Sequence, residues 1–568
     1  MHSINQNNLN DNIFFLDSSN SYYGFKWQIS KNSEKTLEDI FRDKYKPIEE
    51  NNTQKRIQDF WPKNGEIPDI DKGCELIANA LKNKKKVGIV GDYDVDGSSA
   101  TGMLIAYFSL INLDFKFHIP NRFEEGYGIT PEIIKKIIDV DIIITVDNGT
   151  TAYEAIDFIK QQKKQMIIID HHHIQKPIEI DAFINPHRIP NNDKFNILCA
   201  GGLTFIFLFE LNKYLFDRKF IEENHNIYNF IDIATVSTIC DVMPLRGINR
   251  AIVSLGIKKL NLNPQPGYGA ILERYKGNID VTTVGFILGP SINAPGRLGS
   301  AHRAVEIASE TDIQKARNIA ADLIHLNNKR KDIEREALIS VEDQLKIRGV
   351  PENSGIVVYG DWFEGVIGII AGRLKDKYYK PVCVLTKNKN MWKGSLRSVE
   401  GFHIGNLVKK SIDLKITSFG GGHEMAGGLS ISEENLDLFL EFFARETQGN
   451  FLKNNILKID AIVNLEALDS IYNFIEIYGP FGTGYEAPLF LFPDCIITRK
   501  KMFSKDNKSF SILLQITNST FSKFVDIWIF RATESLFNSI SKRIDILGRV
   551  IKSNNKISIE ICDFQCEY

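Results

Sequence analysis

The sequence predicts an α/β protein: two sheet-and-helix units joined by a long helix, with a small β-barrel at the C-terminal end. Three observations predict it. Short apolar runs alternate with helical stretches over residues 71–200, the pattern of a parallel sheet covered on both faces. No Gly or Pro interrupts the chain from Asp312 to Lys346. Five short strand-like segments close the sequence after about residue 455.

The 568 residues exceed what one hydrophobic core usually serves. Texture divides them into five parts. Residues 1–70 are an N-terminal segment expected to be partly ordered, 71–310 a first α/β domain and 311–350 the connecting helix. Residues 351–450 form a smaller α/β domain and 451–568 the barrel.

Taken in order, residues 1–70 are Asn- and Lys-rich with weak periodicity, and Phe60-Trp61 is expected to dock onto a core. "CELIANALKN" reads as a helix, "KVGIV" as a strand and "SSATGMLIAYFSLI" as a helix. "VDIIITV" (Val140 to Val146) is a strand, a helix follows from Ala152, and "QMIIID" is another strand. Residues 200–310 read as mostly helical. Beyond them Ile313, Ala316, Ile319, Leu323, Leu326, Ile333, Ala337, Val341 and Leu345 step by three, four or their sums. That is one apolar stripe on a scaffold helix about 50 Å long. "GIVVYG", "PVCVLT" and "WKGSLRS" are strands of the second α/β unit, with "GVIGIIAGRLKDK" a helix between them. A helix around "LEALDSIYNFIEIYG" precedes "FLFPDCIITRK", "FSILLQIT", "FVDIWIF", "IDILGRV" and "KISIEICDF". Five strands of this size suit a small closed barrel of the OB type.

Lys and Arg total 69 against 71 Asp and Glu, a net charge of −2. That excludes a wholesale polyanion-binding coat but leaves room for a basic groove. Seven scattered cysteines, with no C-x-x-C pair, exclude a disulfide framework and a zinc ribbon and point to a reducing compartment. "MHSINQNNLNDN" lacks a secretion-signal pattern, and the most apolar stretch, "LTFIFLFEL" (Leu203 to Leu211), is far shorter than the roughly 18 residues that span a bilayer. The expected setting is the cytoplasm, away from membranes.

The chemistry lies at the strand ends. "VGIV" runs into Asp92, Asp94 and Asp96, "IIITV" into Asp147 of "VDNG", and "MIII" into Asp170, His171 and His172. Ligands of open parallel sheets bind at the carboxyl ends of strands, so these groups are expected to converge. Three like charges on one loop repel unless a cation sits among them. If the loop is extended, side chains two apart point the same way; Gly97 then lets the chain turn, and Ser98 or Ser99 caps the next helix. Oxygen ligands suit Mg²⁺ or Mn²⁺, and imidazole shifts the preference toward Mn²⁺. Five carboxylates and two histidines exceed the needs of one ion. Two ions are expected, and a pair about 3.5–4 Å apart suits phosphoester hydrolysis. Singly, each group has a plainer reading: a surface D-x-D turn, an Asp helix cap, a solvated His171-His172-His173 turn. Their shared position at the ends of one sheet favours the metal site.

"GDYDVDG", "VDNG" and "DHH", in this order, resemble the DHH phosphoesterases, and the closer likeness is to the RecJ family of single-strand-specific DNA exonucleases. "NRFEEGYG" (Asn121 to Gly128), "CDVMPL" (Cys240 to Leu245) and "GPSINAPGRLG" (Gly289 to Gly299) are similar to further motifs of that family. "GDWFEGVIGIIAGRL", "KGSLRS" and "FGGGHEMAGGLS" resemble its DHHA1 domain, and "GPFGTGYEAPLF" (Gly479 to Phe490) the opening of its OB domain. The resemblance covers about residues 55–568. It implies a DHH catalytic domain, a DHHA1 domain and an OB fold whose groove and aromatic rings hold upstream nucleotides.

The resemblance further implies hydrolysis of single-stranded DNA from its 5′ end to mononucleotides, with Mn²⁺ or Mg²⁺, in DNA repair and recombination. Carried over by position, Asp94 and Asp147 hold one ion with Asp92 beside it. Asp96, Asp147, His171 and Asp241 hold the other, with Asp147 bridging. His172 faces the scissile phosphate or orients a ligand. Arg122, Arg297, Ser395 and Arg397 match phosphate-contact positions, a role that suits planar Arg forks and a Ser hydroxyl. In the family the DHHA1 groups form the pocket for the 5′ end. Gly421, Gly422 and their neighbours in "FGGGHEMAGG" are expected to cradle phosphate with backbone N–H groups, and His423 to contact substrate. The sequence departs from the family at Ser291, where Arg is common, and at Pro295, Gly427 and the added His173. Implied partners are single-stranded DNA, single-strand-binding protein and a helicase. The rival readings are a DHH phosphodiesterase of short oligonucleotides or cyclic dinucleotides, a manganese pyrophosphatase, and a non-catalytic DNA-binding scaffold. The first two usually lack the OB module; the third predicts lost ligands, and every expected ligand is present.

Overall fold

The N-terminal segment, weakly patterned in sequence, contributes β1 (Ile13–Phe15), β2 (Lys26–Ser30) and the helix Leu37–Tyr45. The computed structural model describes residues 13–15, 21–22, 25–30, 36–45, 56–126, 128–449, 451, 456–504, 510–518, 524–553 and 556–566. The expected partial order of residues 1–70 falls in part on 1–12, 16–20, 23–24, 31–35 and 46–55, which lie outside the described residues, as does Tyr127 of "NRFEEGYG". The described pieces belong to the C-terminal module. Trp27 is fully buried and its Nε1 donates to Asp563 Oδ2 at 2.9 Å. Phe41 and Tyr45 pack against Tyr478. Such partners lie more than 400 residues away in sequence, so no local pattern announces them.

The chain divides into two compact units: residues 1–293, 301–321 and 455–568, and residues 294–300 and 322–454. In the first, β3 (Val87–Gly91), β4 (Phe115–His118), β5 (Ile142–Val146), β6 (Gln165–Ile169) and β7 (Ala182–Ile184) form a parallel sheet in the order β4-β3-β5-β6-β7. β3 and β5 are buried at every position, as a sheet covered on both faces requires. The order reverses at β3, so β3 and β5 flank the switch point where such sheets bind ligands. Gly91 pairs with Val146, Val146 with Ile169, and Ile169 with Ile184. Four strands therefore end on one rung. The residues that follow them, Asp92, Asp147, Asp170 and Asn185, start from the same level of the sheet.

Residues 200–309 are largely helical, as expected, with helices Ala200–Asp217, Ile231–Cys240, Gly247–Leu262, Pro266–Leu272, Gly289–Leu298 and His302–Ser309. Trp61 docks as anticipated. Its ring lies 4.5 Å from that of Phe209, and its Nε1 donates to Glu210 Oε1 at 2.6 Å. The apparent oddity of a Glu in the apolar run "LTFIFLFEL" is thereby explained. Trp61→Phe is expected to lower stability by about 1 kcal/mol, since it removes a charge-assisted hydrogen bond and little apolar area. Urea denaturation measures it.

The long helix spans Ile313–Arg348. Ala316, Leu323, Ala337, Val341 and Leu345 are buried. The gap in its stripe between Leu326 and Ile333 is filled by buried polar residues. Arg330 donates to Asn327 Oδ1 at 2.9 Å and to Glu334 Oε2 at 2.6 Å, and Arg373 pairs with Glu334. Apolar periodicity cannot see that segment.

The second unit holds β8 (Ile356–Gly360), β9 (Val382–Asn388), β10 (Met391–Arg397), β11 (Phe419–Gly422) and β12 (Ala426–Ser432), ordered β11-β12-β10-β9-β8. Only β8 and β9 pair in parallel. Alternation on β10 buries Trp392, Gly394 and Leu396 and turns Lys393, Ser395 and Arg397 to the other face.

The C-terminal module adds β13 (Ile456–Ile459), β14 (Ala461–Ile462), β15 (Phe490–Ser504), β16 (Phe510–Thr517), β17 (Val525–Ala532), β18 (Arg543–Ser553) and β19 (Lys556–Cys566). β2 pairs with β13 in parallel. The antiparallel order is β17-β16-β15-β18-β19. All five predicted strands form. The expected closed barrel differs in one respect: among the described residues no backbone ladder joins β17 to β19, and Ser558 Oγ donates instead to the Asp526 carbonyl at 2.6 Å. Among the described residues no helix is long and apolar enough to cross a membrane, and all seven cysteines are free.

Candidate metal centre

Asp92 and Asp147 leave the ends of β3 and β5, and Asp94 and Asp96 follow Asp92. One potential ligand atom each from Asp92, Asp94 and Asp147 lies within 4.8 Å of the other two; the same holds for Asp96, His171 and Asp241. His171 Nε2 stands 3.2 Å from Asp147 Oδ1, 3.6 Å from Asp241 Oδ2 and 3.8 Å from Asp96 Oδ2. Asp147 thus belongs to the first group and meets the second through His171; it also groups with Asp170, His171 and His172. Its φ of 62° is left-handed, a conformation short polar residues tolerate.

The first loop is not extended as the two-residue spacing suggested. The helix Val95–Leu110 starts earlier, with Asp94 as its cap accepting from Gly97 N at 3.1 Å. Ser98 Oγ donates to the Asp94 carbonyl instead of capping. Asp96 therefore sits in the first helical turn, where the helix dipole favours an acid. Gly97 does not provide a left-handed turn. It allows close approach: a Cβ there would lie 2.6 Å from Asp92 N. Asp96 is also held from far away. Its oxygens accept from Ala200 N at 2.7 Å, Gly201 N at 2.8 Å and Ser237 Oγ, two of them N–H groups opening the helix Ala200–Asp217.

Asp170 plays a different part. Its Oδ1 accepts from the His171 and His172 N–H groups and pairs with His172 Nδ1 at 2.7 Å, and its Oδ2 accepts from Thr150 N. Asn185 Nδ2 donates to the His172 carbonyl at 2.9 Å and to Thr150 Oγ1 at 3.2 Å. Asp170 and Asn185 orient the histidines.

Burial, then mutual repulsion, pushes the carboxyls of Asp92, Asp94 and Asp147 up from their ordinary range. Asp241 rises to about 9, from burial and then the charges of Asp96 and Asp94. Burial also works against Asp170, but the hydrogen bond and charge of His172 outweigh it and hold that carboxyl low. His172 feels the reverse: burial opposes its charge, yet Asp170 and then Asp241 raise it to about 9. Burial lowers His171, which favours a neutral imidazole among acids.

The donor set fits divalent cations. Asp92 Oδ1 and Asp241 Oδ2 are buried without a hydrogen-bond partner among the described residues. Buried oxygens of this kind carry a large penalty unless something positive meets them. Hard carboxylate oxygens with one imidazole nitrogen match Mn²⁺ or Mg²⁺.

The expected phosphate contacts fall in both units. Arg122, in the first, lies 5.5 Å from the Tyr93 ring centroid and acts electrostatically on Asp92. In the second, Arg397 Nη1 is 3.4 Å from Ser395 Oγ, and Gly368 leaves room above both. Arg297 Nη1 reaches the Gly365 carbonyl at 3.5 Å. Gly421 and Gly422 lie in the β11–β12 hairpin, paired with Gly428 and Gly427, not in a loop nest; His423 N donates to the Ala426 carbonyl. The glycines make a bare, exposed strip of sheet, and His423 is exposed at its turn.

Residues 86–236 match the DHH family, N-terminal domain; residues 352–449 the DHHA1 domain; residues 459–561 the RecJ OB domain. The single-stranded-DNA-specific exonuclease RecJ of Haemophilus influenzae is 30% identical over 447 residues, covering 74% of this chain and 77% of that one. The chain belongs to the RecJ family. RecJ from Thermus thermophilus in complex with Mn²⁺ shares the fold, with a TM-score of 0.76 at 20% identity over 95% of this chain and 80% of that chain. A further crystal structure, of exonuclease RecJ bound to manganese, is 27% identical with a TM-score of 0.58, covering 68% of this chain and 95% of that chain.

The departures from the RecJ family pattern lie off the acidic cluster. Ser291 is buried and bonds back to the Ile287 carbonyl, Pro295 sits within the helix Gly289–Leu298, and the His173 ring lies tilted 4.2 Å from that of His187. The residues that sequence reading missed are Ser237, the Ala200–Gly201 amides and Asn185. Asn185 carried a usable signal, since it follows a strand. The others carried none, being more than 100 residues from the aspartate they hold.

Proposed function

We propose that the chain hydrolyses single-stranded DNA from its 5′ end, releasing mononucleotides, with two divalent ions of the Mn²⁺ or Mg²⁺ class. The observation that carries this reading is that Asp147, grouped with Asp92 and Asp94, stands 3.2 Å from His171, grouped with Asp96 and Asp241. Asp92, Asp94 and Asp147 would hold one ion, and Asp96, Asp147, His171 and Asp241 the other. When bound, such a pair supplies nucleophile activation and neutralises charge developing on the phosphate. The chain's own residues do the rest. Asp170 keeps His172 cationic with Nδ1 engaged, so its other ring nitrogen can present a proton to a phosphate oxygen or leaving group. Ala200, Gly201 and Ser237 fix the Asp96 carboxylate before substrate arrives. Arg122 supplies a fork for phosphate beside the acids. Arg297, Ser395, Arg397 and the bare strip at Gly421, Gly422 and His423 are the substrate contacts of the second unit. Residues 71–310 are the catalytic domain in this division, 351–450 the DHHA1 domain and 451–568 the OB module. Cytoplasmic single-stranded DNA is the substrate, with single-strand-binding protein and a helicase as partners that expose it.

The test uses 5′- and 3′-labelled single strands, a duplex and a dinucleotide with Mn²⁺. Labelled mononucleotide should appear first from the 5′ label, and the duplex should survive. Release from the 3′ label, or a preference for the dinucleotide, would refute the reading.

A further inference from the structure

Asp241 is the candidate ligand of the acidic cluster that lies outside the strand-to-helix connections of the parallel sheet. It follows the helix Ile231–Cys240, and its buried Oδ2 has no hydrogen-bond partner among the described residues, so its backbone must be held by other means. We propose that the loop Gly479–Glu486, which opens the C-terminal module, is a positioning element for Asp241, so that this module sets the affinity of one of the two ion sites. The proposal rests on the metal reading above.

Val242, next to Asp241, is β-branched at φ 58° and 64% exposed. That conformation is sterically unfavourable and gains little from burial, so the chain on either side must impose it. The restraints come from two directions. From the first domain, Met243 N donates to the Thr238 carbonyl at 3.1 Å, and Asn249 Nδ2 reaches the carbonyls of Pro244 at 3.2 Å and Ile197 at 2.6 Å. From the C-terminal module, the Thr483 carbonyl accepts from Leu245 N at 2.8 Å.

The supporting loop is itself clamped. Arg250, 5% exposed, donates through Nη2 to the carbonyls of Tyr478 at 2.6 Å and Gly479 at 3.1 Å, and its guanidinium lies 3.8 Å from the Tyr485 ring centroid. Gly482 and Tyr485 exchange two backbone hydrogen bonds of 3.0 Å. Gly482 passes so near the Asp241 loop that a Cβ would lie 2.6 Å from Leu245 Cδ1. Displacing this loop therefore pushes on the segment Asp241–Leu245, which carries the ligand. None of these contacts touches Asp92 or Asp94.

The experiment measures Mn²⁺ binding to the full chain without DNA, by electron paramagnetic resonance of free Mn²⁺ and by calorimetry. The chains are the parent, Gly482→Ala, Arg250→Lys, Gly482→Ala with Leu245→Val, and Lys501→Ala as a control elsewhere on the module. The parent should bind two ions. Gly482→Ala and Arg250→Lys should each weaken one site about tenfold or more, the scale seen when groups supporting a metal ligand are lost, and leave the other unchanged. Leu245→Val should restore the Gly482→Ala protein, because it removes the colliding Cδ1. Arg250→Lys keeps the charge but not the planar guanidinium that lies on the Tyr485 ring and carries Nη2 to both carbonyls, so the decision does not depend on Gly482→Ala folding. Unchanged affinities in folded variants, or equal weakening of both sites, would overturn the proposal while leaving the metal reading standing. A parent that binds fewer than two ions would overturn both.

Discussion

Asp147→Asn is expected to lower nuclease turnover by about 10³-fold or more, roughly 4 kcal/mol of transition-state stabilisation, while leaving the fold intact. Asp147 is grouped with Asp92 and Asp94 and stands 3.2 Å from His171 of the other group, so on the proposed reading its loss impairs two ion sites at once. Asn is the informative replacement. It tolerates the left-handed φ of 62° that Ala would occupy under strain. It also keeps the volume and removes a charge that burial and then the neighbouring carboxylates Asp96, Asp94 and Asp92 destabilise. The metal-free variant should therefore be at least as stable as the parent. Single-turnover cleavage of a labelled strand and a denaturant melt read the two halves. Near-parental activity, or a clear loss of metal-free stability, would count against Asp147 as a shared ligand.

Without metal, the protein should become less stable as pH rises from about 5 to 9, and Mn²⁺ should cancel the trend. Folding raises the carboxyls of Asp92, Asp94, Asp147 and Asp241 above their ordinary value, with Asp241 reaching about 9. Across that window the folded state holds more protons than the unfolded chain. The stability these groups contribute is complete below the ordinary carboxylate range and is lost as pH climbs through the raised values. His172, raised to about 9, has the same sign near the top of the window. His171, lowered, opposes it as pH passes the ordinary histidine range, but it is one group against four. Asp170 is lowered and changes only in more acid solution. Bound ions replace the protons. At about 100 times its dissociation constant each ion adds about 2.7 kcal/mol, or about 5–10 °C for a domain of ordinary size. Melting curves with EDTA and with Mn²⁺ at each pH should diverge as pH rises; a constant gap would rule out ions among these carboxylates.

How much was legible in advance depended on distance along the chain. The strand ends could be read because a parallel sheet aligns them: Gly91, Val146, Ile169 and Ile184 share one rung, so the residues after them meet. The first loop differs in detail from what its spacing suggests. Spacing by two suggests an extended arm, yet a helix begins at Val95: its Gly97 N–H donates to Asp94, while Asp96 in its first turn is held by the N–H groups of Ala200 and Gly201. The glycine run suggests a phosphate nest but forms a hairpin, since alternating strand geometry and pairing with Gly427 and Gly428 use its backbone. Asp241 emerged only through likeness to a family, because an Asp after a helix is ordinarily a cap.

By itself the sequence determined the two α/β units, the long helix, the C-terminal strands and the acids at the strand ends. Each of these depends on apolar periodicity or turn chemistry within a few residues. Only the tertiary structure decided that helix 200–217 and Ser237 grip Asp96, that residues 25–45 complete the C-terminal module, and that Thr483 supports the Asp241 loop. These contacts join segments from about 100 to more than 500 residues apart. Their energies depend on where packed elements come to rest against one another, which no local pattern encodes.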